Sequence, residues 1–342
     1  MRLRLIRNKC GGAGLYISQG WSHVFEIMDW EYRVWDGKDP ERIFDEFQPN
    51  IYMGDVRFRH RIPRRIKQGQ TVVVATVDQW SDRWAFPELA KRGYRTKWHD
   101  VLWIRKLKPE FLFHQTTPRG IDIGWEKWKR KEGLDVVSIM VAGDPIANYD
   151  AGEDERYRCD IGFVGGYWIY KAEGLKAYLL DYAQNYNTLI FGQGWPDGIS
   201  KGFLPDEHVK KLYRTATFVP CIHEPHSRIH GYDIVQRLFM VPLAGGFTIS
   251  DPVKTIYEEN IFAEDELIVA KSPQDMRDKA EYFILNPEKR IPFIEKAKRR
   301  VLNEHTYFHR VRKLLSLLGF SNELVQLRQK MRELGYGIDK VD

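Results

Sequence analysis

The sequence lacks several features that mark common protein classes. Its 342 residues include only three cysteines, Cys10, Cys159 and Cys221, which are too few and too scattered for a disulfide framework. No apolar run reaches the roughly 20 residues that a membrane helix needs. Arg2 and Arg4 interrupt the first apolar run, so it lacks the core of a signal peptide. These absences predict a protein of the reducing cytoplasm without a membrane span.

Acidic residues are missing from one strongly basic segment. Residues 57–67 read RFRHRIPRRIK, and the net charge of +6 is confined to residues 1–150, which carry 26 Lys and Arg against 20 Asp and Glu. Either the segment is a solvated helix face, or it binds a polyanion, since clustered cations attract phosphates. The candidate polyanion-binding residues are Arg57, Arg59, Arg61, Arg64, Arg65 and Lys67.

Short β-branched runs alternate with amphipathic stretches along the chain, which is typical of parallel α/β layers. Strands are predicted at LRLIRN, EYRVWD, NIYMGD, TVVVATVD and EFLFHQTT, and then at CDIGFVGG, NTLIFGQG, ATFVPCI, GGFTISD and ELIVAK. Residues 143–158, rich in Gly, Pro, Asn and Asp, predict a linker between the two series. We therefore expect two Rossmann-like, doubly wound domains facing each other across a cleft: 1–150, and 151–342 with C-terminal helices.

Capping residues predict two helix starts. Asp39 precedes Pro40, which suits the first position of a helix. Ser272 lies three residues before Asp275, which is the spacing at which a capping hydroxyl accepts a backbone N–H at the start of a helix.

A glycine-rich turn, KCGGAG, follows the first predicted strand. A dinucleotide-binding fingerprint, as in a nicotinamide-dependent dehydrogenase, requires a small residue where this chain has Ile17. Two other interpretations are a purely structural turn and a loop whose amides bind an anion at a helix N-terminus.

Four motifs occur in order in the second part of the chain. They are CDIGFVGG with Asp160–Gly165, the turn Gly192–Trp195, RLF from Arg237 to Phe239 followed by Gly245-Gly246, and HTYFHR from His305 to Arg310. Over residues 155–315 this arrangement resembles the CgeB-type, spore-maturation-protein-like glycosyltransferases. The resemblance implies the GT-B fold, a second domain that holds a nucleotide sugar, and a first domain that presents the acceptor. It also suggests that HTYFHR is an interdomain brace.

The resemblance further implies a UDP-sugar or another NDP-sugar as donor substrate, with no permanently bound cofactor and no metal. Helix N-termini and basic side chains would then neutralise the diphosphate and the leaving group. We expect the glycine loops at strand C-termini, where ligands bind in open α/β sheets, and KCGG looks like a turn that closes onto donor phosphates. The expected donor-binding residues are Lys9, Gly11, Gly12, Gly165, Gly166, Trp195, Asp233, Gln236, Arg237, Gly245 and Gly246.

One position departs from the family pattern. Where the family has a glutamate that hydrogen-bonds the nucleotide ribose, this chain has Met240. On a helix, Gln236 and Asp233 would share its face and either could replace the glutamate. The departure keeps a non-catalytic nucleotide-sugar or nucleic-acid binding protein as an alternative.

Three residues are candidates for catalysis. Asp78 ends a predicted strand and is either a general base for an inverting reaction or a helix cap; the resemblance favours a retaining reaction, which needs no such base. The segment CIHEPHSRIHGYD is interpreted as a loop, which argues against a zinc site at its Cys and His residues. His226 and Arg228 are instead expected to contact the diphosphate or the sugar.

The charge asymmetry favours a polyanionic acceptor, and DNA with hydroxylated bases is one candidate. A duplex base would have to flip out of the stack, with the basic segment holding the backbone. Cell-surface glycans and lipid-linked sugars are the alternative acceptors.

Overall fold

The computed structural model describes residues 2–55, 66, 69, 71–76, 98–133 and 135–338. It divides into two compact units. The first comprises the residues up to Val141 together with Tyr307–Leu334, and the second comprises Ala142–Thr306 with the residues from Gly335. This division differs from the expected domains 1–150 and 151–342, because the helices after Thr306 belong to the first unit and the boundary falls earlier.

The described strands and helices alternate through most of the chain. The strands are β1 (Arg4–Asn8), β2 (Glu31–Trp35), β3 (Ile51–Asp55), β4 (Val72–Thr76), β5 (Phe111–His114), β6 (Val136–Ser138), β7 (Ile161–Val164), β8 (Thr188–Phe191), β9 (Val219–Cys221), β10 (Thr248–Ser250) and β11 (Ile268–Val269). The helices are α1 (Gly14–Ile27), α2 (Pro40–Phe47), α3 (Trp98–Leu107), α4 (Pro118–Glu132), α5 (Ala172–Leu175), α6 (Asp181–Ala183), α7 (Asp206–Thr215), α8 (Pro225–His230), α9 (Arg237–Leu243), α10 (Thr255–Glu258), α11 (Pro273–Leu285), α12 (Ile291–Glu304), α13 (Tyr307–Leu317) and α14 (Ser321–Glu333). A π-helical turn, Lys176–Leu180, joins α5 to α6.

The first unit is built on a six-stranded parallel sheet in the order β2-β1-β3-β4-β5-β6. Its strands are rich in Val, Ile, Leu and Phe because a parallel sheet covered by helices buries both faces. The core includes Ile6, Trp35, Phe44, Tyr52, Val73, Leu112 and Trp125.

Helix α13 joins the first unit through aromatic packing on α1. The ring of Tyr307 lies against Gly20, where a Cβ atom would stand 2.1 Å from a ring carbon, and Trp21 packs beside it. Arg310 donates hydrogen bonds to the carbonyls of Met140 and Val141, the last two residues of the N-terminal segment of this unit. These contacts explain why the expected membership of the C-terminal helices differs from the observed one.

The second unit has five parallel strands in the order β8-β7-β9-β10-β11. Strands β7 and β8 form one sheet and β9, β10 and β11 another, and a parallel bridge from Ile161 to Phe218 joins them. Two apolar clusters pack against these strands. The first includes Ile161, Phe163, Leu179, Tyr182, Ile190, Phe247 and Phe283, and the second Tyr157, Leu212, Tyr213, Val219 and Val241.

Most of the predicted elements are present. Each predicted strand has a counterpart, and the Ser272 hydroxyl accepts the Asp275 backbone N–H, as predicted for the start of α11. The Asp39 prediction is wrong in detail: this residue precedes α2 but adopts left-handed backbone angles and its side chain makes no capping hydrogen bond. Among the described residues no helix is long and apolar enough to span a membrane.

Three further expectations are wrong. The predicted linker 143–158 lies inside the second unit, where Asp144 and Asn148 are buried. The segment interpreted as a loop contains helix α8, because Pro225 suits a first helical position and Gly231 ends the helix in a left-handed conformation. Helix α9 begins at Arg237, so Asp233, with its left-handed φ of +71°, does not share a helical face with Met240, whereas Gln236 has helical backbone angles and its carbonyl accepts the Met240 amide.

Candidate functional site

Two glycine turns interlock at the carboxyl ends of β7 and β8. A Cβ atom at Gly192, whose φ is +132°, would lie 2.2 Å from the Gly165 carbonyl oxygen. The indole N–H of Trp195 donates to the same oxygen at 2.8 Å, and the Tyr167 amide donates to the Gln193 carbonyl. The Gly165-Gly166 loop therefore has a fixed backbone at the edge where open α/β sheets bind ligands. Trp195 supports this loop through its hydrogen bond.

Arg237 brings a cation to this loop. It is the first residue of α9, and its guanidinium lies 4.2 Å from the Phe163 ring centroid and donates to the Val164 carbonyl. A Cβ atom at Gly165 would stand 2.8 Å from its Nη2, so glycine leaves room for the guanidinium. Its Nε and Nη1 are buried and have no hydrogen-bond partner among the described residues. Buried donors without partners are uncommon, and they suit an anionic ligand.

A buried charged cluster follows β9 and β10. His223, which is 0% exposed, directs Nδ1 to Asp251 at 2.5 Å and donates its backbone N–H to the same carboxylate. Arg228 donates to Asp251 and to the His223 carbonyl. Burial raises the pKa of Asp251, but His223 and Arg228 outweigh it, so the pKa is lowered and the carboxylate is ionised at neutral pH.

A second cation near these strand ends is held by an acidic partner. The Lys171 ammonium, on a side chain that is 9% exposed, lies 3.3 Å from the Glu224 carboxylate. Burial raises the pKa of Glu224, but Lys171, His226 and His223 together lower it below the ordinary value. The pair joins the loop after β7 to the loop after β9. An incoming phosphate would compete with Glu224 for Lys171.

His226, a predicted catalytic residue, has both ring nitrogens in contact with polar side chains. Nε2 lies 3.0 Å from the Asp233 carboxylate and Nδ1 lies 3.3 Å from the Tyr170 hydroxyl. If Nε2 carries the proton, Nδ1 accepts from Tyr170. Asp233, expected to bind the ribose, adopts a left-handed φ of +71° and is held by this histidine. Both side chains belong to a chain of hydrogen bonds within the second unit.

The expected position of Gly245 and Gly246 is wrong. They precede β10 and therefore lie at the amino ends of the strands, at the opposite edge from Gly165. Gly245, with φ +76°, and Gly246 donate to the carbonyls of Pro242 and Val241, the pattern that closes a helix with a left-handed glycine. The two glycines thus end α9.

The glycine loop of the first unit is open. Gly11 and Gly12 are exposed, with no atom of the described residues within 4 Å of a Cβ built on either, and Gly12 has φ +57°. Lys9 is exposed beside them, and α1 begins without a side-chain cap. Arg7, 4% exposed, has a buried Nη1 without a hydrogen-bond partner among the described residues. The amides of Gly14 and Leu15 at the start of α1 donate to the carbonyls of Gly11 and Gly12, so the features that suit an anion here are the exposed loop and the two cations.

Other predicted residues lie outside the part of the chain that the structure describes. These are Asp78, Arg57, Arg59, Arg61, Arg64, Arg65 and Lys67. Within the described ranges no group of three or more His, Cys, Asp or Glu side chains is arranged to hold a metal ion, and this includes the histidines of α8.

Sequence reasoning missed four residues of this edge. They are Lys171, His223, Glu224 and Asp251. Their partners are 28 to 53 residues away, so spacing along the chain does not reveal the pairs. The remaining signal was topological, since His223 follows one predicted strand and Asp251 ends another, and ligands bind at the carboxyl ends of the strands in open sheets.

Comparison with known proteins agrees with this geometry. A family model described as glycosyl transferase-like matches residues 175–316, which contain α8, α9, β9 and β10. A search of curated proteins finds no significant match.

Solved structures match the whole chain at low identity. Sucrose-phosphate synthase from Thermosynechococcus elongatus is 11% identical with a TM-score of 0.58, covering 97% of this chain and 99% of that one. A glycosyltransferase from Rickettsia africae is 12% identical with a TM-score of 0.59, and the match covers 92% of this chain and 97% of that one. Anabaena HepE in complex with UDP and glucose is 10% identical with a TM-score of 0.57, covering 93% and 100%.

The two parallel α/β units and these structural neighbours identify the GT-B fold. The family match adds the class of activity, glycosyl transfer. It covers the segment that contains the charged residues after β9 and β10. Fold and family match together support a glycosyltransferase of the GT-B type that uses nucleotide sugars.

Proposed function

We propose that this protein transfers a sugar from a nucleoside-diphosphate sugar to an acceptor hydroxyl, and that the donor diphosphate binds at the carboxyl ends of β7, β9 and β10. The observation that carries the proposal is Arg237, whose guanidinium is fixed beside Gly165 with two buried nitrogens unpartnered. A guanidinium binds phosphate oxygens through several charge-assisted hydrogen bonds. The motif order that resembles CgeB-type enzymes supports the same assignment.

Lys171 supports the proposal as a second cation. Its present partner is Glu224, at 3.3 Å, and exchange of this carboxylate for a phosphate would keep the ammonium paired. Two fixed cations stabilise the negative charge that develops on a leaving diphosphate. We therefore infer a reaction that needs no metal ion, which predicts that a chelator leaves the rate unchanged.

The acceptor and the stereochemical course remain predictions from sequence. Retention of configuration rests on the resemblance to CgeB-type enzymes. A polyanionic acceptor such as DNA with hydroxylated bases rests on the charge asymmetry of residues 1–150. Donor turnover measured with and without such DNA, at two salt concentrations, tests this version, because phosphate contacts weaken steeply with salt. A rate that is stimulated only by a glycan would contradict it.

A thermal-shift screen tests the donor site directly. A panel of UDP-glucose, GDP-mannose, ADP-glucose and dTDP-glucose should contain a ligand that raises Tm, because a ligand that binds only the native state stabilises it by mass action. Arg237→Ala should abolish that shift. Arg237→Lys keeps the charge but not the planar fork, and should retain part of it.

The matched control is Arg300→Ala in the same unit. Arg300 is paired with Glu266 and Glu304, away from the strand ends, so its loss should leave the ligand shift unchanged. If no nucleotide sugar stabilises the wild-type protein, or if Arg237→Ala responds like the wild type, the proposed donor site is wrong.

A further inference from the structure

His223 has a nitrogen whose role the donor site has not yet explained. Its Nε2 is buried and has no hydrogen-bond partner among the described residues, whereas its Nδ1 is bound to Asp251. A buried polar atom without a partner costs stability unless a ligand or water satisfies it.

The sheet order indicates which way Nε2 points. Strand β9, which ends just before His223, lies between β10 and β7. Asp251 follows β10, so Nδ1 faces the β10 side. The two nitrogens of an imidazole point away from each other, so Nε2 is directed away from Asp251. On the other side of β9 lies β7, where Arg237 donates to the Val164 carbonyl. Burial raises the pKa of the Cys221 thiol at the end of β9, and the charges of Arg237 and Asp251 both act on it, which places them near this strand end.

Charged groups from several elements surround the imidazole of His223. The Asp251 carboxylate binds Nδ1, and the Glu224 carboxylate acts on the ring from its own loop. The cations that face the cluster are Arg228 from α8 and Lys171 from the loop after β7, and each has a carboxylate partner.

We propose that His223 is a second phosphate-binding residue of the donor site, with Nε2 donating to a diphosphate oxygen while Asp251 holds the ring. The inference rests on the proposed function and adds a residue to it. Asp251 is then a positioning residue. Arg237 and His223 would contact the diphosphate from two neighbouring strands.

Two substitutions of His223 remove the contacts of Nδ1 and Nε2 one at a time. In His223→Asn the amide reaches about as far as Nδ1, so the Asp251 contact is kept and the Nε2 contact is lost. In His223→Gln the amide reaches about as far as Nε2, so the phosphate contact is kept and the Asp251 contact is lost. Calorimetric titration of wild type and both variants with UDP-glucose and with uridine measures the phosphate-dependent part of the affinity.

We expect His223→Asn to keep a Tm close to that of the wild type, to bind uridine normally, and to bind UDP-glucose about tenfold more weakly, the loss of one charge-assisted hydrogen bond. His223→Gln should lose Tm but keep more of the UDP-glucose affinity than His223→Asn. If His223→Asn binds UDP-glucose as the wild type does, the inference is overturned. If both variants unfold, the ¹⁵N shift of His223 Nε2 in the wild type decides, and it must change with UDP-glucose but not with uridine.

The outcomes distinguish this inference from the function on which it rests. The same titrations are run with the other three nucleotide sugars of the panel, whose diphosphates have the same charge. If the wild type binds none of them, the proposed function and this inference both fail. If it binds one through Arg237 while His223→Asn binds equally well, only the role of His223 fails.

Discussion

The first unit and the second unit each place glycines directly after a strand, but for different reasons. At Gly11 and Gly12 no atom of the described residues lies within 4 Å of an added Cβ, and the loop is exposed. At Gly192 an added Cβ would lie 2.2 Å from the Gly165 oxygen, and the backbone angle of +132° excludes other residues. The first loop is therefore exposed, whereas the second is packed against protein atoms.

The comparison shows that glycine content alone does not define a phosphate loop. In the second unit the glycines make room for protein atoms, namely a carbonyl and the Arg237 guanidinium. In the first unit the carbonyls of Gly11 and Gly12 accept the amides of Gly14 and Leu15 at the start of α1, and the loop itself is exposed. Substitutions in the two loops should therefore lower the free energy of unfolding by very different amounts.

The largest expected effect is that of Gly192→Ala. The new Cβ would clash with backbone and the backbone angle is forbidden to alanine, so we expect a loss of about 4 kcal/mol or failure to fold. Urea unfolding at equilibrium measures this loss. A loss under about 1 kcal/mol would show that the two turns do not interlock, and the comparison between the loops would collapse.

The next largest effect is the loss of stability of the second unit at low pH. Because the pKa of Asp251 is lowered in the folded state, its ion pairs stabilise the second unit above the unfolded value of about 3.9 and are lost as pH falls through the folded pKa. Hydrogen exchange resolved by segment should show β9 and β10 losing protection below about pH 3.9 before β1 and β3 do. Asp251→Asn should cost about 3 kcal/mol at pH 7, because it leaves His223 and Arg228 without a buried anion.

For that experiment Asp265→Asn is the control, because Asp265 is an exposed carboxylate of the same unit paired with Lys296. Exposed pairs contribute little, so the free energy of unfolding of this variant at pH 7 should stay close to that of the wild type. Equal losses in the two variants, or simultaneous loss of protection in both units, would contradict the role given to the buried cluster.

A smaller effect is expected for Trp195→Phe. The variant keeps the aromatic contacts with Phe163 and Tyr167 but loses the indole hydrogen bond to the Gly165 carbonyl. We expect a loss of about 1 kcal/mol in unfolding free energy, with a weaker nucleotide-sugar affinity. Unchanged affinity would mean that this hydrogen bond does not position the loop for the donor.

The smallest effects belong to the first loop. Gly11→Ala should change the free energy of unfolding by less than about 0.5 kcal/mol, since nothing contacts the added methyl group. Gly12→Ala should cost about 1 kcal/mol because of its left-handed backbone angle. Chemical denaturation of the two variants in parallel measures the difference. Large losses in both would show that the first loop is packed like the second.

The alternation of strands and helices could be predicted from the sequence, because buried parallel strands have a clear composition. Strand β6 is absent from that prediction, since its three residues precede a long Gly-rich and Pro-rich segment. Helix α8 was missed because six residues give little periodicity. The capping role of Gly245 was missed because the sequence of a glycine pair does not show whether the pair precedes or follows a strand.

The site was predictable only in part. Arg237 and the Gly165 loop follow from the motif order, and their proximity agrees with it. The pairing of His223 with Asp251 needs tertiary structure, because it joins residues that follow two different strands. The assignment of the C-terminal helices to the first unit depends on contacts between residues far apart in the chain, such as Tyr307 with Gly20 and Arg310 with the Met140 carbonyl, which no periodicity reveals.

The most direct measurement is a crystal structure with the best-binding nucleotide sugar or its nucleoside diphosphate. We expect diphosphate oxygens within hydrogen-bond distance of the Arg237 guanidinium, beside Gly165 at the carboxyl ends of β7 and β9. A diphosphate bound at the opposite edge, near Gly245 and Gly246, or without contact to Arg237, would contradict the account.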